Sequence, residues 1–277
     1  MLSLHTNAAA LSAQNAISKT QSNLSTSMTR LSTGYRINSA MDDAAGLQIA
    51  SRLKAQSSGM SVAMRNTQNA TALMQTAEGA LDEVSNIIVR MKDLATQAAD
   101  TGSTAKDKTA MNAEFVELGK ELTNIMGNTS FGGAKLLTGG TIATAMKFQI
   151  GADALEVMDV DLSTEMTDVD DAVADILAEE LTTGGDATAA ITTLTAAIDT
   201  VGTLRSALGA SANRLEHVNS NLANISTNTK QATGLIMDVD FATESANMTS
   251  SQMLMQASTA MLKQSNSMSS MVMSLLQ

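Results

Sequence analysis

Apolar residues recur every seven positions over long stretches of this chain, and the clearest stretch lies between residues 190 and 225. Its first column contains Leu194, Val201, Leu208, Leu215 and Leu222, and a second column three positions on contains Ala197, Leu204, Ser211, Val218 and Ile225. Two such columns are the a and d positions of a heptad repeat. The pattern predicts a helix of roughly 50 Å, at 1.5 Å per residue, that packs along another helix.

A wider apolar stripe lies upstream, between residues 73 and 98. Its three columns are Leu73, Ala80, Ile87 and Leu94; Ala77, Val84, Met91 and Ala98; and Leu81, Ile88 and Ala95. This width is typical of a helix that contacts two neighbours in a bundle. We expect the helix to end near residues 101–103 and another amphipathic helix to run from about residue 106 to 126.

Both ends of the chain repeat the heptad spacing with a narrower seam, which we interpret as the subunit-packing surface of a polymer. The seam contains Leu4, Leu11, Ile17, Leu24 and Leu31 at one end, and Leu254, Met261, Met268 and Leu275 at the other. Mainly Ser, Thr, Asn and Gln lie between these positions, so each terminal helix can bury little apolar surface. Because helix nucleation is costly, we expect both ends to be largely disordered in the monomer and helical after assembly.

The pattern changes from residue 128 to 162, where glycines are frequent and Met146, Phe148 and Ile150 alternate with polar residues. A second short strand is expected near residues 157–161, so the region predicts a β-hairpin. Residues 163–188 are acidic, and we expect one short helix at most in this segment. The predicted fold is mainly α, a long antiparallel helical coiled-coil bundle with a small β-hairpin region.

Composition supports long helices and excludes several classes of function. The 277 residues contain no Cys, Pro or Trp, one Tyr, four Phe and twenty Met. Without proline the helices run uninterrupted, and with few aromatics the core must come from aliphatic residues and methionine. The net charge of −11, with scattered Lys and Arg, makes nucleic acid and anionic membranes poor partners. We expect no signal peptide and no membrane insertion.

No constellation of residues points to catalysis, a metal or a cofactor. His5 and His217 are the two imidazoles, and neither belongs to a recognisable motif. Adjacent carboxylates at Asp42 and Asp43 more often complement a helix dipole than act as acid and base. Seven methionines lie between Met248 and Met273, and their spacing favours packing over copper binding. We therefore expect no enzyme activity and no cofactor.

Residues 31–47, Leu-Ser-Thr-Gly-Tyr-Arg-Ile-Asn-Ser-Ala-Met-Asp-Asp-Ala-Ala-Gly-Leu, resemble the signature that follows the first helix of bacterial flagellins. Further resemblances lie at residues 213–222, 240–244 and 274–276. The positions that match the family signature are Arg36, Asn38, Asp42, Asp43, Ala44 and Gly46. The match covers roughly the first 160 and the last 90 residues, so the chain resembles that family over most of its length.

The resemblance implies an exported subunit that polymerises into the extracellular flagellar filament used for motility. It implies an inner coiled-coil layer from residues 1–43 and 235–277, and an outer helical core from residues 44–162, which include the hairpin, and 189–234. Residues 163–188 would be a short variable tip insertion. The implied partners are other copies of the chain, an export chaperone, the type III export apparatus, and the filament cap and junction proteins.

The resemblance also implies recognition by innate immune sensors of flagellin. Arg90, Leu94 and Glu114 match the positions that contact the flagellin-sensing Toll-like receptor in the family. The carboxyl-terminal Val272, Leu275 and Leu276 match the segment that intracellular sensors bind. Solvated surface charges would explain Arg90 and Glu114 equally well, and inner-layer packing would explain the carboxyl-terminal residues.

Two other helical proteins remain as alternatives at this point. A chemoreceptor-like signalling hairpin shares the Ala, Ser, Thr, Gln and acidic bias, but it needs a membrane tether and a helical tip. A hook-filament junction protein is related to flagellins at both ends, but usually has a longer divergent middle than residues 163–188. The short insertion therefore favours the filament subunit.

Overall fold

Helices account for most of the chain in the structure, a computed structural model that describes residues 7–182 and 184–275, with side chains for 7–182 and 186–268. In these ranges the helices are α1 Ala8–Thr33, α2 Ala44–Ala99, α3 Ala105–Asn128, α4 Ser163–Ala178, α5 Gly184–Met237 and α6 Phe241–Leu275. The strands are β1 Ser130–Phe131, β2 Ala134–Lys135, β3 Met146–Gln149 and β4 Val157–Val160. The predicted mainly helical fold with a small β region is confirmed.

The chain divides into two compact units. Unit 1 contains residues 1–56 and 227–277, and unit 2 contains residues 57–226. α2 and α5 each contribute residues to both units. The five segments expected from the family resemblance concern layers of an assembled polymer, and their boundaries stay predictions.

The heptad columns of α2 and α5 form the core of unit 2. The three-column stripe of α2 is buried except for Leu73 and Ala80, which are half-buried, and Leu194, Val201, Leu208, Leu215 and Leu222 of α5 are buried too. Arg205 lies 2.8 Å from Asp82, whereas Leu222 packs with Met60 and Ala63. Later residues of α5 thus meet earlier residues of α2, so the two helices are antiparallel, as predicted.

Helix α3 begins and ends close to the predicted positions, and local hydrogen bonds define its start. Thr104 and Asp107 form a capping box, in which the Asp107 Oδ2 accepts from the Thr104 backbone N–H at 3.0 Å. The hydrogen bond from the Thr104 hydroxyl is the main cause that lowers the pKa of Asp107 below its ordinary value. α3 presents Phe115, Leu122 and Met126 to the same core.

Two antiparallel hairpins follow α3. In the larger one, Met146 pairs with Val160 and Phe148 with Met158, which confirms the strands expected there. The smaller hairpin pairs β1 with β2 around Gly132 and Gly133, whose φ angles of 60° and 88° favour glycine.

The acidic segment contains one helix, α4, as expected, but this helix is part of the core. Met166, Val169, Val173 and Ile176 are buried in the same cluster as α2, α3 and α5, whereas Leu177 is half exposed. The spacing of the buried residues is that of an amphipathic helix with one apolar face. Unit 2 therefore packs α4 as a structural helix.

One window of α5 is apolar enough to span a membrane by length and composition alone. The window lies within residues 186–237, its mean hydropathy is 1.2, and a third of it is buried inside the protein. Its buried residues include Leu194, Val201 and Leu204, which belong to the core of unit 2. Core helices pass the same compositional test, so this window is weak evidence for insertion.

The terminal helices α1 and α6 pair with each other in unit 1. Asn7 and Ser265 are hydrogen-bonded near one end of the pair, and Arg30 and Glu244 lie together near the other, so the helices are antiparallel. The described residues of both ends are helical, which is the form expected after assembly, and disorder of these ends in the free monomer stays a prediction.

Candidate assembly surface

The turn that leads from α1 to α2 is joined by backbone hydrogen bonds to the turn between α5 and α6. Gly34 ends α1 at a φ of 75°, and its N–H donates to the Arg30 carbonyl oxygen. The Arg36 N–H donates to Met237 O at 2.6 Å, and the Val239 N–H donates to Gly34 O at 3.0 Å. These bonds, with the bridge between Tyr35 and Asp238, join the two turns as a short piece of sheet.

Side chains of the signature then fix the path of the first turn. The guanidinium of Arg36 donates to Ile236 O at 2.8 Å, and the Asn38 amide donates to Tyr35 O at 2.8 Å. Asp42 Oδ2 accepts from the backbone N–H groups of Ser39 and Asn38 at 2.9 and 3.1 Å. Those two donors, Ser39 first, hold the pKa of Asp42 below its ordinary value.

The start of α2 uses the remaining signature residues. Asp43 Oδ1 accepts from the Gly46 N–H at 2.9 Å, which caps the helix that begins at Ala44. A Cβ on Gly46 would lie 2.5 Å from Asp43 Oδ2 and 2.8 Å from Ile37 Cδ1, and Ile37 is buried. Only glycine allows the cap and Ile37 to pack so closely. Asp42 and Asp43 thus serve the turn and the helix start, and neither meets a group that suits acid–base catalysis.

A charged cluster lies where α1 and α6 meet next to these turns. Glu244 is buried, and its Oε2 lies 3.8 Å from Arg30 Nη1, while Arg30 Nη2 lies 4.0 Å from Asp42 Oδ1. Ser27 is also buried there. Glu244 belongs to residues 240–244, which resemble the family, and the resemblance assigns it no role. Its burial has no signal in the apolar pattern, because it depends on which side chain of α1 lies opposite.

The predicted subunit-packing residues stay largely open to solvent. Ile17, Leu24 and Leu31 are half-buried, whereas Leu11, Leu254, Met261 and Met268 are more than half exposed, with Leu254 at 56% and Met261 at 66%. Leu4 and the side chain of Leu275 lie outside the described residues. We call Leu11, Met28, Met253, Leu254, Met261 and Met268 the terminal ridge, since all six are exposed apolar side chains of α1 or α6.

Small residues line an open groove beside this ridge. Ala9, Ser12, Ala13 and Ala16 of α1 face Ala257, Ser258 and Met261 of α6 around a cavity of about 370 Å³. In the described part of α1 and α6, the fully buried side chains are those of Ser27 and Glu244, both polar. The helix pair therefore leaves most of its apolar surface unburied.

Two of the three residues expected to contact an immune receptor form an ion pair in unit 2. Arg90 Nη2 and Nε donate to Glu114 Oε1 at 2.7 and 3.1 Å, and both side chains are about half exposed. Leu94, by contrast, is 3% exposed and lies in the core. Its side chain packs inward with the heptad column to which it belongs, and the expected receptor contact at Leu94 stays a prediction.

Among the described residues, no three His, Cys, Asp or Glu side chains lie close enough to hold a metal ion. His217 is exposed on α5, and His5 lies outside the described residues.

Comparisons with known proteins match nearly the whole chain. The model of the bacterial flagellin N-terminal helical region matches residues 4–141, and that of the C-terminal helical region matches residues 191–276. A flagellin of Halalkalibacterium halodurans is 41% identical over 90% of each chain, and flagellin A of Vibrio cholerae is 34% identical over 100% of each. The crystal structure of Bacillus cereus flagellin aligns with a TM-score of 0.51 at 32% identity, covering 57% of this chain and 88% of that one.

These matches favour neither the junction protein nor the signalling hairpin. Two family models cover both ends of the chain, and the relatives match over most of their own length. The chain belongs to the bacterial flagellin family and is a structural, non-enzymatic subunit of the extracellular flagellar filament.

Proposed function

We propose that the terminal ridge of unit 1 is the surface through which copies of this chain assemble into the filament. The observation that carries the proposal is that heptad seam positions of both terminal helices remain exposed after α1 and α6 have paired. Full burial of a Leu or Met side chain contributes roughly 1.5–3 kcal/mol. A ridge of six such side chains that are each more than half exposed is a strong driving force for association.

An open filament also needs contacts between unlike surfaces, because contacts of that kind do not close on themselves. The ridge supplies two different strips. α1 contributes Leu11 and Met28, whereas α6 contributes four residues: Met253, Leu254, Met261 and Met268. We propose that the α6 strip of one copy packs against the α1 strip of another copy. In this contact, half-buried Ile17, Leu24 and Leu31 would pack beneath the two strips.

Seeded polymerisation of a Leu254→Glu variant tests this surface. The substitution puts a charge in the middle of the α6 strip while α1 and α6 keep their pairing, since Leu254 is exposed. The proposal expects at least a tenfold loss of filament length and mass by electron microscopy and sedimentation. Leu155→Glu is the matched control, because Leu155 is 92% exposed in the β3–β4 turn of unit 2 and outside the ridge. Normal filaments from Leu254→Glu would contradict the proposal.

The same ridge is proposed to bind the export chaperone before assembly. Without a chaperone, the exposed Met and Leu side chains on α6 would associate with other copies before export. A chaperone that covers them would keep the chain separate and deliver it to the type III export apparatus. The filament cap and junction proteins are then proposed to contact the ridge at the two ends of the filament. Co-purification of the Leu254→Glu variant with the chaperone, compared with Leu155→Glu, tests the first step, and equal recovery of both would oppose it.

A role as a Toll-like receptor ligand is proposed separately for the surface around Arg90 and Glu114. The favouring observation is that this exposed ion pair links α2 and α3 and so presents both helices as one rigid surface. Arg90→Ala is expected to lower receptor reporter activity at least severalfold, with Lys120→Ala as the control for a nearby exposed ion pair of α3. Equal activity of both variants would oppose this role.

A further inference from the structure

We propose that the exposed methionines of unit 1 are a site of reversible oxidation by peroxide, and that their sulfoxides stop assembly while unit 2 stays folded. This inference rests on the proposed assembly surface, to which four of these methionines belong: Met28 on α1, and Met253, Met261 and Met268 on α6. It adds a modification chemistry and a way for an oxidant to control when copies join.

The methionines of the two units differ sharply in exposure. In unit 2, Met64 is half-buried and the other eight are buried: Met60, Met74, Met91, Met111, Met126, Met146, Met158 and Met166. In unit 1, five of those with described side chains are more than half exposed: Met28, Met41, Met253, Met261 and Met268. The remaining three, Met237, Met248 and Met255, are half-buried. An oxidant in solution therefore meets thioethers almost entirely in unit 1.

The chemistry is a two-electron oxygen transfer from hydrogen peroxide. A sulfur lone pair attacks one peroxide oxygen, the O–O bond breaks, an S–O bond forms, and the other oxygen leaves as water after taking up a proton. Sulfur is oxidised and peroxide is reduced. Methionine sulfoxide reductases with a thiol reductant return the thioether, so the change is reversible.

Position on the ridge explains why oxidation would stop assembly. Met261 and Met268 are seven residues apart on the α6 seam, Met253 is next to Leu254, and Met261 lines the groove beside α1. A sulfoxide turns each flexible apolar side chain into a polar one with a strong hydrogen-bond acceptor. Burying that acceptor against another copy's Leu or Ala side chains leaves it without a donor. Assembly then loses its driving force at three positions along the α6 strip.

Burial also predicts protection in the finished polymer. Once copies cover the ridge, peroxide reaches Met253, Met261 and Met268 slowly. The modification therefore acts on chains before they join and spares filaments already formed.

The experiment treats the full-length monomer with increasing hydrogen peroxide and measures sulfoxide at each methionine by peptide mass spectrometry. We expect Met253, Met261 and Met268 to react at least tenfold faster than Met74, Met91 and Met166. Seeded polymerisation is expected to fall at least tenfold in parallel, hydrogen exchange of unit 2 to stay unchanged, and reductase treatment to restore assembly. Even oxidation of both units, or normal polymerisation by fully oxidised chains, would overturn the inference.

Variants separate this inference from the proposed surface itself. The quadruple variant Met28→Leu, Met253→Leu, Met261→Leu, Met268→Leu keeps an apolar ridge without a thioether and is expected to assemble equally well with and without peroxide. Met41→Leu, at a methionine 97% exposed outside the ridge, is expected to stay peroxide-sensitive. If Leu254→Glu assembles normally, the surface is wrong; if Leu254→Glu fails while the oxidised wild-type chain assembles, only the oxidation inference is wrong.

Discussion

At the scale of single residues, the turn between α1 and α2 is the most tightly specified part of unit 1. Arg36, Asn38, Asp42 and Asp43 are each hydrogen-bonded to a backbone group, and Gly46 fills a space that admits no larger residue. Glycine is required at position 46 for space, and the aspartates for their acceptor oxygens. The family signature is thus explained by the geometry of a corner, without any catalytic role.

Gly46→Ala is the first test of this corner. The added Cβ would push Asp43 off its cap and displace buried Ile37, so we expect unit 1 to lose about 1–3 kcal/mol of stability. Hydrogen-exchange mass spectrometry of residues 31–56 measures the loss. Gly79→Ala is the matched control on the same helix, since nothing lies within 4 Å of its Cβ, and there alanine is expected to stabilise by about 0.5–1 kcal/mol. Equal effects at both sites would contradict the packing argument.

Asp42 gives unit 1 a dependence on acid pH. Its pKa is lowered because the folded turn donates the Ser39 and Asn38 N–H groups to the charged carboxylate. A lowered folded pKa means that the stabilisation is complete above the ordinary value of 3.8 and is lost as the pH falls through the lowered pKa.

Asp42→Asn removes this titration, so we expect it to weaken the turn at neutral pH and to flatten the loss of stability below pH 3.8. Urea unfolding of unit 1 at a series of pH values, followed by hydrogen exchange, measures both effects. Asp93→Asn, on the exposed face of α2 in unit 2, serves as the control. An unchanged pH profile in Asp42→Asn would count against the assigned role.

At the scale of helices and strands, the apolar period predicted the core of unit 2 well. The columns of α2 and the first column of α5 gave buried faces, because burial follows helix periodicity where helices pack along each other. In the second α5 column Ala197 and Leu204 are buried, whereas Ser211 and Val218 are half-buried and Ile225 is 37% exposed. The α2 columns already contained Leu94. Periodicity therefore placed Leu94 in the core, whereas the expectation that this residue contacts a receptor came from the resemblance and stays a prediction.

The burial of polar residues and the pairing of the terminal helices depend on contacts between different helices, which the apolar pattern along one helix does not contain. The burial of Glu244 follows from Arg30 lying opposite, and the pairing of α1 with α6 joins segments from the two ends of the chain. The narrow seam of each end predicts disorder for that end alone, and the pairing of α1 with α6 lies outside what either seam contains. The exposed ridge was predicted by position, but its extent required knowing which seam residues the pair covers.

Helix α4 provides the element-scale prediction. Residues 142–190 lie outside both family models, yet α4 buries Ile176 completely against the core. Ile176→Ala is expected to destabilise unit 2 by about 2–5 kcal/mol, because it removes buried methylenes and leaves a cavity. Leu177→Ala, at the half-exposed neighbouring position, is expected to cost less than half as much. Chemical denaturation compares them, and equal small effects would mean that α4 is a dispensable insertion.

At the scale of the whole molecule, the division into two units predicts that they can be damaged separately. Deleting residues 1–30 removes most of α1 and the α1 strip of the ridge, whereas every buried residue of the unit 2 core is retained. We expect polymerisation to be abolished and the exchange protection of residues 70–215 to be preserved. Loss of that protection would show that the units fold only together.

The hydrogen bonds between the two turns have a consequence for the order of events in folding. Arg36 and Ile236 are 200 positions apart in sequence and yet directly bonded. Closing so long a loop is entropically slow, whereas the hairpins and the α2–α3 corner use neighbouring residues. The corner between α1 and α2 therefore completes its hydrogen bonds only when residues 236–239 are free to join it, so a chain shortened before that point cannot form the linked turns of unit 1.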